Sequence, residues 1–306
     1  MGSGADPHAE SRRRGRPSLA SKAEEMIARE GLFPSGTRAL VMVSGGQDSL
    51  ALLHLLATGA AGRKGPASLH VLHVNHHLRG SESAADEELV VRACARMAVD
   101  VTVVHRPVEK AAGNVQEAAR DARREAALAA AAENDCGRIV LGHTADDQVE
   151  TMLYRLGRYG GLAAFAGMLP NDPPWVRPLL GCRREETAAY CRDQGLEFAE
   201  DRGNVYPGYA RTAIRETVLP AWEAGLPGAV NAACRAAEVA AEIERVVAGV
   251  LEDAARRVGV RKQADAGELS TAGLLGLEPA VRRLLLHAWL EARARPAASR
   301  AAVLAV

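Results

Sequence analysis

Residues 44–49 combine small and acidic side chains in an order that suits phosphate chemistry. They read Ser-Gly-Gly-Gln-Asp-Ser and lie between an apolar run, residues 39–43, and a leucine-rich run, residues 50–56. This order predicts a strand, a glycine turn and a helix. Glycines let the backbone approach a ligand closely, and the start of a helix offers N–H groups with a partial positive charge. The stretch therefore predicts an anion site, and phosphate is the simplest anion to fit it.

The acidic residue of this loop, Asp48, narrows the kind of phosphate ligand that fits. The lysine of the common GxxxxGK[ST] phosphate loop is missing, and a carboxylate in its place would repel phosphate. A divalent cation between the two groups removes the repulsion, and Mg²⁺ binds carboxylate and phosphate oxygens together. The loop therefore predicts a magnesium-bridged nucleotide. For the turn alone, a plain connection between a strand and a helix is an equally good interpretation.

Three carboxylates begin a later predicted helix. Asp146 and Glu150 are four residues apart and Asp147 and Glu150 are three apart, so their side chains are neighbours on the helix surface. Acids at a helix start stabilise the helix dipole, and that alone could explain them. Beside a phosphate site they also predict a positively charged ligand, either magnesium or a substrate ammonium group. Arg120 and Arg123, one turn apart, form a solvated face or pair with phosphate or a substrate carboxylate.

Three histidines, His73, His76 and His77, lie in and just after the second predicted strand. Their HxxHH spacing matches no common zinc pattern, and no cysteine lies nearby. We therefore favour polar contacts to a nucleotide or to RNA over a metal site.

The elements that position these residues alternate between strands and helices. Apolar runs predict strands at residues 39–43, 69–74, 101–104 and 138–142, with helices between them. This alternation predicts an α/β fold with a doubly wound parallel sheet of about five strands. The candidate residues follow strand ends, where ligands bind in such sheets.

The chain divides into three predicted parts. Residues 1–17 contain an arginine run without an apolar core, so they predict a disordered tail and not a secretory signal. Residues 18–217 form the predicted α/β domain. Alanine-rich, charge-laced helices without strand signals predict a smaller all-helical domain over residues 218–306.

Composition limits the classes of protein further. The 38 basic and 38 acidic side chains among 306 residues cancel, so overall charge gives no support for a nucleic-acid partner. Five cysteines without a CxxC pair predict a reducing, cytoplasmic environment and argue against zinc and iron–sulfur sites. No apolar run reaches the roughly 18 residues of a membrane span, so no membrane partner is expected.

Taken in order, the motifs resemble those of the tRNA(Ile)-lysidine synthetase family, which belongs to the N-type ATP pyrophosphatases with a PP-loop. The resemblance spans about residues 38–220. It is carried by SGGQDS (44–49), HVNHHLRG (73–80), the pair Arg120 and Arg123, GHTADDQVET (142–151), RPLL (177–180) and the stretch 201–220.

This resemblance implies a two-step ligation that uses ATP and Mg²⁺. The 2-oxygen of the wobble cytidine of tRNA(Ile) with a CAU anticodon attacks the α-phosphate and releases pyrophosphate. The side-chain amine of free L-lysine then attacks the 2-carbon and releases AMP. The resemblance implies a cytoplasmic enzyme without a membrane partner, and a homodimer is among the assemblies to test.

The resemblance also implies roles for individual residues. The catalytic residues are Asp48, Asp147 and Glu150, and Asp48 is the metal ligand. The implied ATP-binding residues are Ser44, Gly45, Gly46, Gln47, Asp48, Ser49 and His76. The implied lysine-binding residues are Arg123, His143, Asp147 and Glu150. The implied tRNA contacts are Arg79, Arg211 and Arg215.

Three stretches, residues 155–161, 201–204 and 211–215, depart from the family pattern, and the departures bear on the tRNA contacts more than on ATP chemistry. Two other classes stay open. One is another adenylating PP-loop enzyme, such as a tRNA thiolase or an amide-forming synthetase. Missing paired cysteines argue against the thiolase, and 306 residues leave little room for a glutamine-hydrolysing domain. The other is a non-catalytic nucleotide- or RNA-binding relative, against which the intact carboxylates argue.

Overall fold

The computed structural model describes residues 17–78, 80–107, 115–158, 162–199, 210–258 and 269–294. The predicted disordered tail, except its last residue, lies outside these ranges, as do Arg79 and residues 201–204. In the described part the strands are β1 (Arg38–Met42), β2 (Ser68–Asn75), β3 (Asp100–His105), β4 (Arg138–Val140), β5 (Asn171–Asp172) and β6 (Trp175–Val176).

Helices connect and follow these strands. Those of the first part are α1 (Leu19–Glu30), α2 (Gln47–Ala57), α3 (Ser81–Arg96), α4 (Val115–Glu133), α5 (Ala145–Arg158), α6 (Leu162–Ala166) and α7 (Arg184–Asp193). Those that follow are α8 (Ala210–Ala213), a π-helical turn (Ile214–Val218), α9 (Leu219–Gly225), α10 (Ala229–Val258), α11 (Thr271–Leu275) and α12 (Pro279–Ala294).

The strands form one sheet in the order β3-β2-β1-β4-β6-β5. Every pair is parallel except β5 with β6. The chain runs outward from β1 to β3 and then returns to the other side of β1, so the strand order reverses between β1 and β4. In doubly wound sheets this switch point opens a crevice at the carboxyl ends of the strands. The predicted fold class is confirmed.

The sheet has one strand more than the predicted five. Prolines are frequent in residues 170–178, a composition that predicts a simple crossing and no strand. The segment instead forms a short hairpin, in which Trp175 and Val176 are buried and pair with β4. Two-residue strands are too short to show a period of two, so their sequence carries no strand signal.

Both faces of the sheet are covered, which explains why the strand sequences are almost continuously apolar. On one face, α1, α2, α3 and α7 pack against alternate strand residues such as Val41 and Val71. On the other face, the buried alanines of α4 pack against the residues between them, such as Leu40 and Leu72.

Helices α9 and α10 share a hydrophobic cluster with α5. Val149 and Met152 of α5 pack with Leu219 of α9 and with Val230 and Ala237 of α10. The helix that carries the candidate carboxylates is therefore packed against the later helices. Within the described residues, no helix combines the length and apolar character needed to cross a membrane.

Candidate active site

The glycine loop connects β1 to α2 in the conformation that phosphate binding requires. Gly45 has φ of 90°, a region that favours glycine. The backbone N–H of Ser44 donates to the hydroxyl of Ser49 over 3.1 Å, and that hydroxyl lies 2.9 Å from the carbonyl of Gly46, to which it can donate. These contacts fold the loop over the start of α2. The first N–H groups of a helix have no partner within the helix, so they are available to an anion.

Gly142 brings the end of β4 against this loop. A side-chain carbon at this position would lie 3.1 Å from the backbone nitrogen of Ser49 and 3.2 Å from the carbonyl oxygen of Asp48. Such contacts are tighter than ordinary packing, so the close approach requires glycine. It places the residues after β4 next to the loop, across the switch point.

Asp48 is largely buried at the loop, and its side chain is 18% exposed. One carboxylate oxygen, Oδ1, accepts a hydrogen bond from the hydroxyl of Thr187, and the other, Oδ2, lies 3.7 Å from Nε of Arg184. Burial raises the pKa of Asp48 to about 6, and the charge of Asp147 acts in the same direction, whereas Thr187 and Arg184 oppose the rise. The carboxylate therefore lacks full compensation for its charge.

A magnesium ion carried by a nucleotide fits this donor set. The described residues contain no group of three or more His, Cys, Asp or Glu side chains able to hold a metal. Mg²⁺ does not need such a cage, since one or two carboxylates together with substrate phosphates hold it in many enzymes. Asp48 would be the carboxylate ligand, beside the helix start that faces the phosphates.

Asp147 and Glu150 form a pair of carboxylates at the start of α5. Asp147 Oδ2 accepts from the N–H of Thr144 at 2.8 Å and from its hydroxyl at 2.9 Å, which caps the helix. The guanidinium of Arg215 reaches both acids, at 2.6 Å and 2.9 Å from the two oxygens of Glu150 and 3.2 Å from Asp147 Oδ1. Burial raises the pKa of Glu150, and Arg215 opposes the rise. In this structure the pair holds the guanidinium of Arg215.

Asp146 does not belong to this pair. Its carboxylate lies 3.1 Å from Arg183 and accepts the N–H of Arg184 at 2.8 Å. It therefore fixes the start of α7. Successive residues on a helix point about 100° apart, so the three acids of the sequence separate into one structural residue and two candidates for ligand binding.

His143 and Arg123 stand near the pair. Burial lowers the pKa of His143 to about 4, reinforced by nearby arginines and opposed by Asp147, so the imidazole is neutral at neutral pH. Its Nδ1 is buried and has no hydrogen-bond partner in the described part of the chain. Arg123 is exposed, yet desolvation by the surrounding protein and the charge of Arg120 lower its pKa.

His76 keeps one ring nitrogen for a ligand. Its Nδ1 donates to the carbonyl of Arg106 over 2.9 Å, which makes Nε2 the acceptor in the neutral ring. That Nε2 is buried and lacks a partner among the described residues. Burial lowers the pKa of His76, which keeps the ring neutral.

The other two histidines serve the fold. His73 is buried and its Nδ1 contacts the carbonyl of Val43 over 2.8 Å, which ties β2 to the end of β1. His77 stacks on His105 with ring centroids 5.0 Å apart. The contacts expected from the sequence, to nucleotide or RNA, do not fit the buried ring of His73.

The arginines predicted to contact tRNA have different surroundings. Arg211 lies over the ring of Tyr154, 5.0 Å from its centroid. Arg215 is held by Asp147 and Glu150, an arrangement that the sequence did not indicate. Arg79 lies outside the described residues. The tRNA contacts of all three stay predictions.

Sequence reasoning missed the contribution of α7. Thr187 and Arg184 approach Asp48, and the side chain of Gln47 donates to the carbonyl of Arg184 over 2.8 Å. No local motif marks these residues, because their partners lie far away in the sequence. Only their position, four and seven residues after the end of the RPLL motif, could have drawn attention to them.

Several known proteins are similar to this chain in sequence. A family model described as a PP-loop domain matches residues 16–222. The tRNA(Ile)-lysidine synthase of Mycobacterium tuberculosis is 41% identical over 255 residues, which cover 82% of this chain and 74% of the relative. That of Leifsonia xyli is 37% identical over 276 residues, 89% of this chain and 81% of the relative.

A solved structure supports the fold. The U34-tRNA thiolase of Methanococcus maripaludis superposes with a TM-score of 0.61 at 18% identity, over 72% of this chain and 76% of the thiolase. The motifs, the loop at the switch point and the identity to relatives all agree with the resemblance inferred from the sequence. The chain therefore belongs to the tRNA(Ile)-lysidine synthase family of PP-loop enzymes.

Proposed function

We propose that this chain ligates free L-lysine to the 2-carbon of the wobble cytidine of tRNA(Ile) with a CAU anticodon, through an adenylated tRNA. The observation that carries the proposal is the meeting of two sites at one crevice. The phosphate-binding loop after β1 touches the end of β4 at Gly142, and the carboxylate pair begins the next helix. Family membership implies the use of ATP and supports this assignment.

The loop serves the first step. The backbone of residues 44–49 and the start of α2 cradle the phosphates, and Nε2 of His76 accepts a hydrogen bond from the nucleotide. Asp48 would hold Mg²⁺, which would supply positive charge at the phosphates when bound. Asp48 orients that charge, and the helix start stabilises the negative charge that develops at the α-phosphate.

The carboxylate pair serves the second step. Asp147 and Glu150 hold lysine through its ammonium charge, and Arg123 binds its carboxylate bidentately. Arg215 now contacts the same acid oxygens, so a bound lysine must share them or displace it. The reacting amine has to lose a proton before it attacks the ring carbon. Glu150, whose raised pKa makes it the better proton acceptor, is the base we assign.

The test measures pyrophosphate release and the incorporation of labelled lysine with the full chain. We expect both only when ATP, Mg²⁺ and a tRNA(Ile) transcript with cytidine at the wobble position are present. A transcript with uridine at that position is the matched control. Pyrophosphate without lysine incorporation would indicate another adenylating PP-loop enzyme, and loss of both signals would indicate a binding protein.

We propose residues 218–306 as the tRNA-binding helical domain. Removing the whole segment is a poor test, because it would strip α5 of its partners Leu219 and Val230. Replacing Arg282 and Arg283 of α12 by glutamine avoids this. The double variant should bind tRNA several-fold more weakly, and the slope of log affinity against log salt should fall by about 0.9 per lost phosphate contact.

The matched control for this double variant is Arg192→Gln, at the exposed end of α7. It removes one positive charge from the α/β part, where the double variant removes two from α12, and it should leave tRNA binding unchanged. Equal affinity and an equal salt slope in all three proteins, measured by filter binding, would contradict a role for α12.

A homodimer is the assembly we propose. Its support is an exposed apolar stripe on α10, formed by Val239, Ile243, Val246 and Val250. The 4-3-4 spacing of these residues matches the seam of a coiled coil, and a second copy of the same helix is a natural partner. A monomer mass in light scattering at micromolar concentration would rule it out.

A cytoplasmic location stays the expectation drawn from cysteine usage. All five cysteines are free thiols, and Cys94, Cys182 and Cys191 are buried. Their pKa values are raised by burial, which makes these thiols poor nucleophiles.

A further inference from the structure

We propose that Thr187 is a positioning residue that orients the Asp48 carboxylate toward the cation of the ATP site, an inference that rests on the proposed role of Asp48 as metal ligand. Thr187 lies in the first turns of α7, 139 residues from Asp48 along the chain, and is completely buried. Nothing in the sequence connects the two residues.

The direction of the hydrogen bond follows from the partners of the hydroxyl. Thr187 Oγ1 is within reach of Asp48 Oδ1, lies 2.8 Å from the carbonyl of Arg184 and 3.2 Å from the side-chain nitrogen of Gln47. The side-chain nitrogen of Gln47, Nε2, can only donate, so the hydroxyl accepts from it. The hydroxyl of Thr187 has one proton, which it can donate either to the carbonyl of Arg184 or to the carboxylate of Asp48.

Two observations indicate that Thr187 donates this proton to Asp48. The carbonyl of Arg184 already accepts from Gln47 over 2.8 Å. A charged acceptor also forms the stronger bond. Gln47, Thr187 and Asp48 therefore form a directed chain of hydrogen bonds that ends on Oδ1.

This series of hydrogen bonds determines which carboxylate oxygen of Asp48 is available to a ligand. With Oδ1 engaged by Thr187, Oδ2 has Arg184 Nε at 3.7 Å, which is too long for a good hydrogen bond. Oδ2, which is in a long ion pair with Arg184, is thus the oxygen better placed to bind a cation. A buried threonine has few allowed rotamers, so it holds the carboxylate in this orientation before the nucleotide arrives.

A role in packing alone makes a different prediction, and Thr187→Val separates the two. Valine keeps the shape of threonine and lacks the hydroxyl, whereas Thr187→Ser keeps the hydroxyl and lacks a methyl group. Thr58→Val is the matched control, since the Thr58 hydroxyl donates to the carbonyl of His54 over 2.7 Å at the other end of α2.

The readout is Mn²⁺ binding to the full chain saturated with α,β-methylene ATP, followed by electron paramagnetic resonance. Losing one charge-assisted hydrogen bond should raise the half-saturating Mn²⁺ concentration about 10-fold in Thr187→Val. Thr187→Ser and Thr58→Val should stay within about twofold of the wild type. The Mg²⁺ dependence of pyrophosphate release should shift by the same factor.

Unchanged Mn²⁺ binding in Thr187→Val, or equal losses in the valine and serine variants, would overturn the positioning role. Asp48→Asn tells this failure from a failure of the proposed function. If Asp48→Asn loses Mn²⁺ while Thr187→Val does not, only the role of Thr187 falls. If Asp48→Asn still binds Mn²⁺, Asp48 is not the metal ligand, and the positioning role of Thr187 is then wrong as well. Should Thr187→Val not fold, Thr187→Ala replaces it and must show the same loss.

Discussion

Replacing Asp48 by asparagine should slow adenylation of tRNA(Ile) by about 100-fold or more, the range expected when a group that stabilises transition-state charge is removed. Asparagine has nearly the same size and keeps an oxygen that can accept from Thr187. The loop should therefore keep its shape and lose the negative charge that holds the cation. The measurement is pyrophosphate release in the presence of tRNA, over a range of Mg²⁺ concentrations.

Asp193→Asn is the matched control for this variant. Asp193 ends α7 and is exposed, so the same chemical change there should leave the rate unchanged. Adenylation at the wild-type rate in Asp48→Asn would show that Asp48 is not the metal ligand.

The second large effect separates the two half-reactions. If Asp147 and Glu150 hold lysine, Asp147→Asn should spare pyrophosphate release and block lysine incorporation. The loss of one charge-assisted contact in a partly buried site costs roughly 1.5–3 kcal/mol, or about 10- to 150-fold in lysine affinity. The variant should accumulate adenylated tRNA, and high lysine should partly restore the product.

Asp147 is a cleaner position for this test than Glu150. Glu150 is 8% exposed and makes two contacts to Arg215, so a neutral residue there would weaken both contacts at once. Asp147 makes one contact to Arg215 at 3.2 Å, and its other oxygen caps α5. An amide can still accept one of these bonds.

Asp146→Asn provides the matched control, since Asp146 is the preceding residue and faces Arg183. It should show no lysine-dependent defect. The opposing hypothesis gives Asp147 a role in magnesium binding. Under that hypothesis both half-reactions fail together, lysine restores neither, and only added Mg²⁺ helps.

Several features followed from the sequence because short-range physics determines them. Strands buried on both faces need continuous apolar runs, so the first four strands were visible within a residue or two. The glycine loop is also local, since Gly45 supplies the positive φ and Ser49 closes the turn five residues after Ser44. The switch-point rule then predicted ligand binding at the carboxyl ends of the strands, where Asp48 and Gly142 lie close together.

The sequence by itself thus determined the α/β class, the phosphate loop and, through its ordered motifs, the family. The tertiary structure alone decided which side chains share a site. It turned Asp146 toward Arg183, set Arg215 against Glu150 across 65 residues, and brought Thr187 to Asp48 across 139 residues. The reason is physical: the periodicity of apolar residues in the sequence indicates only which face of its own helix or strand a residue occupies. Which distant group meets that face depends on strand order, on the close approach that Gly142 permits, and on the burial that makes a charge require a partner.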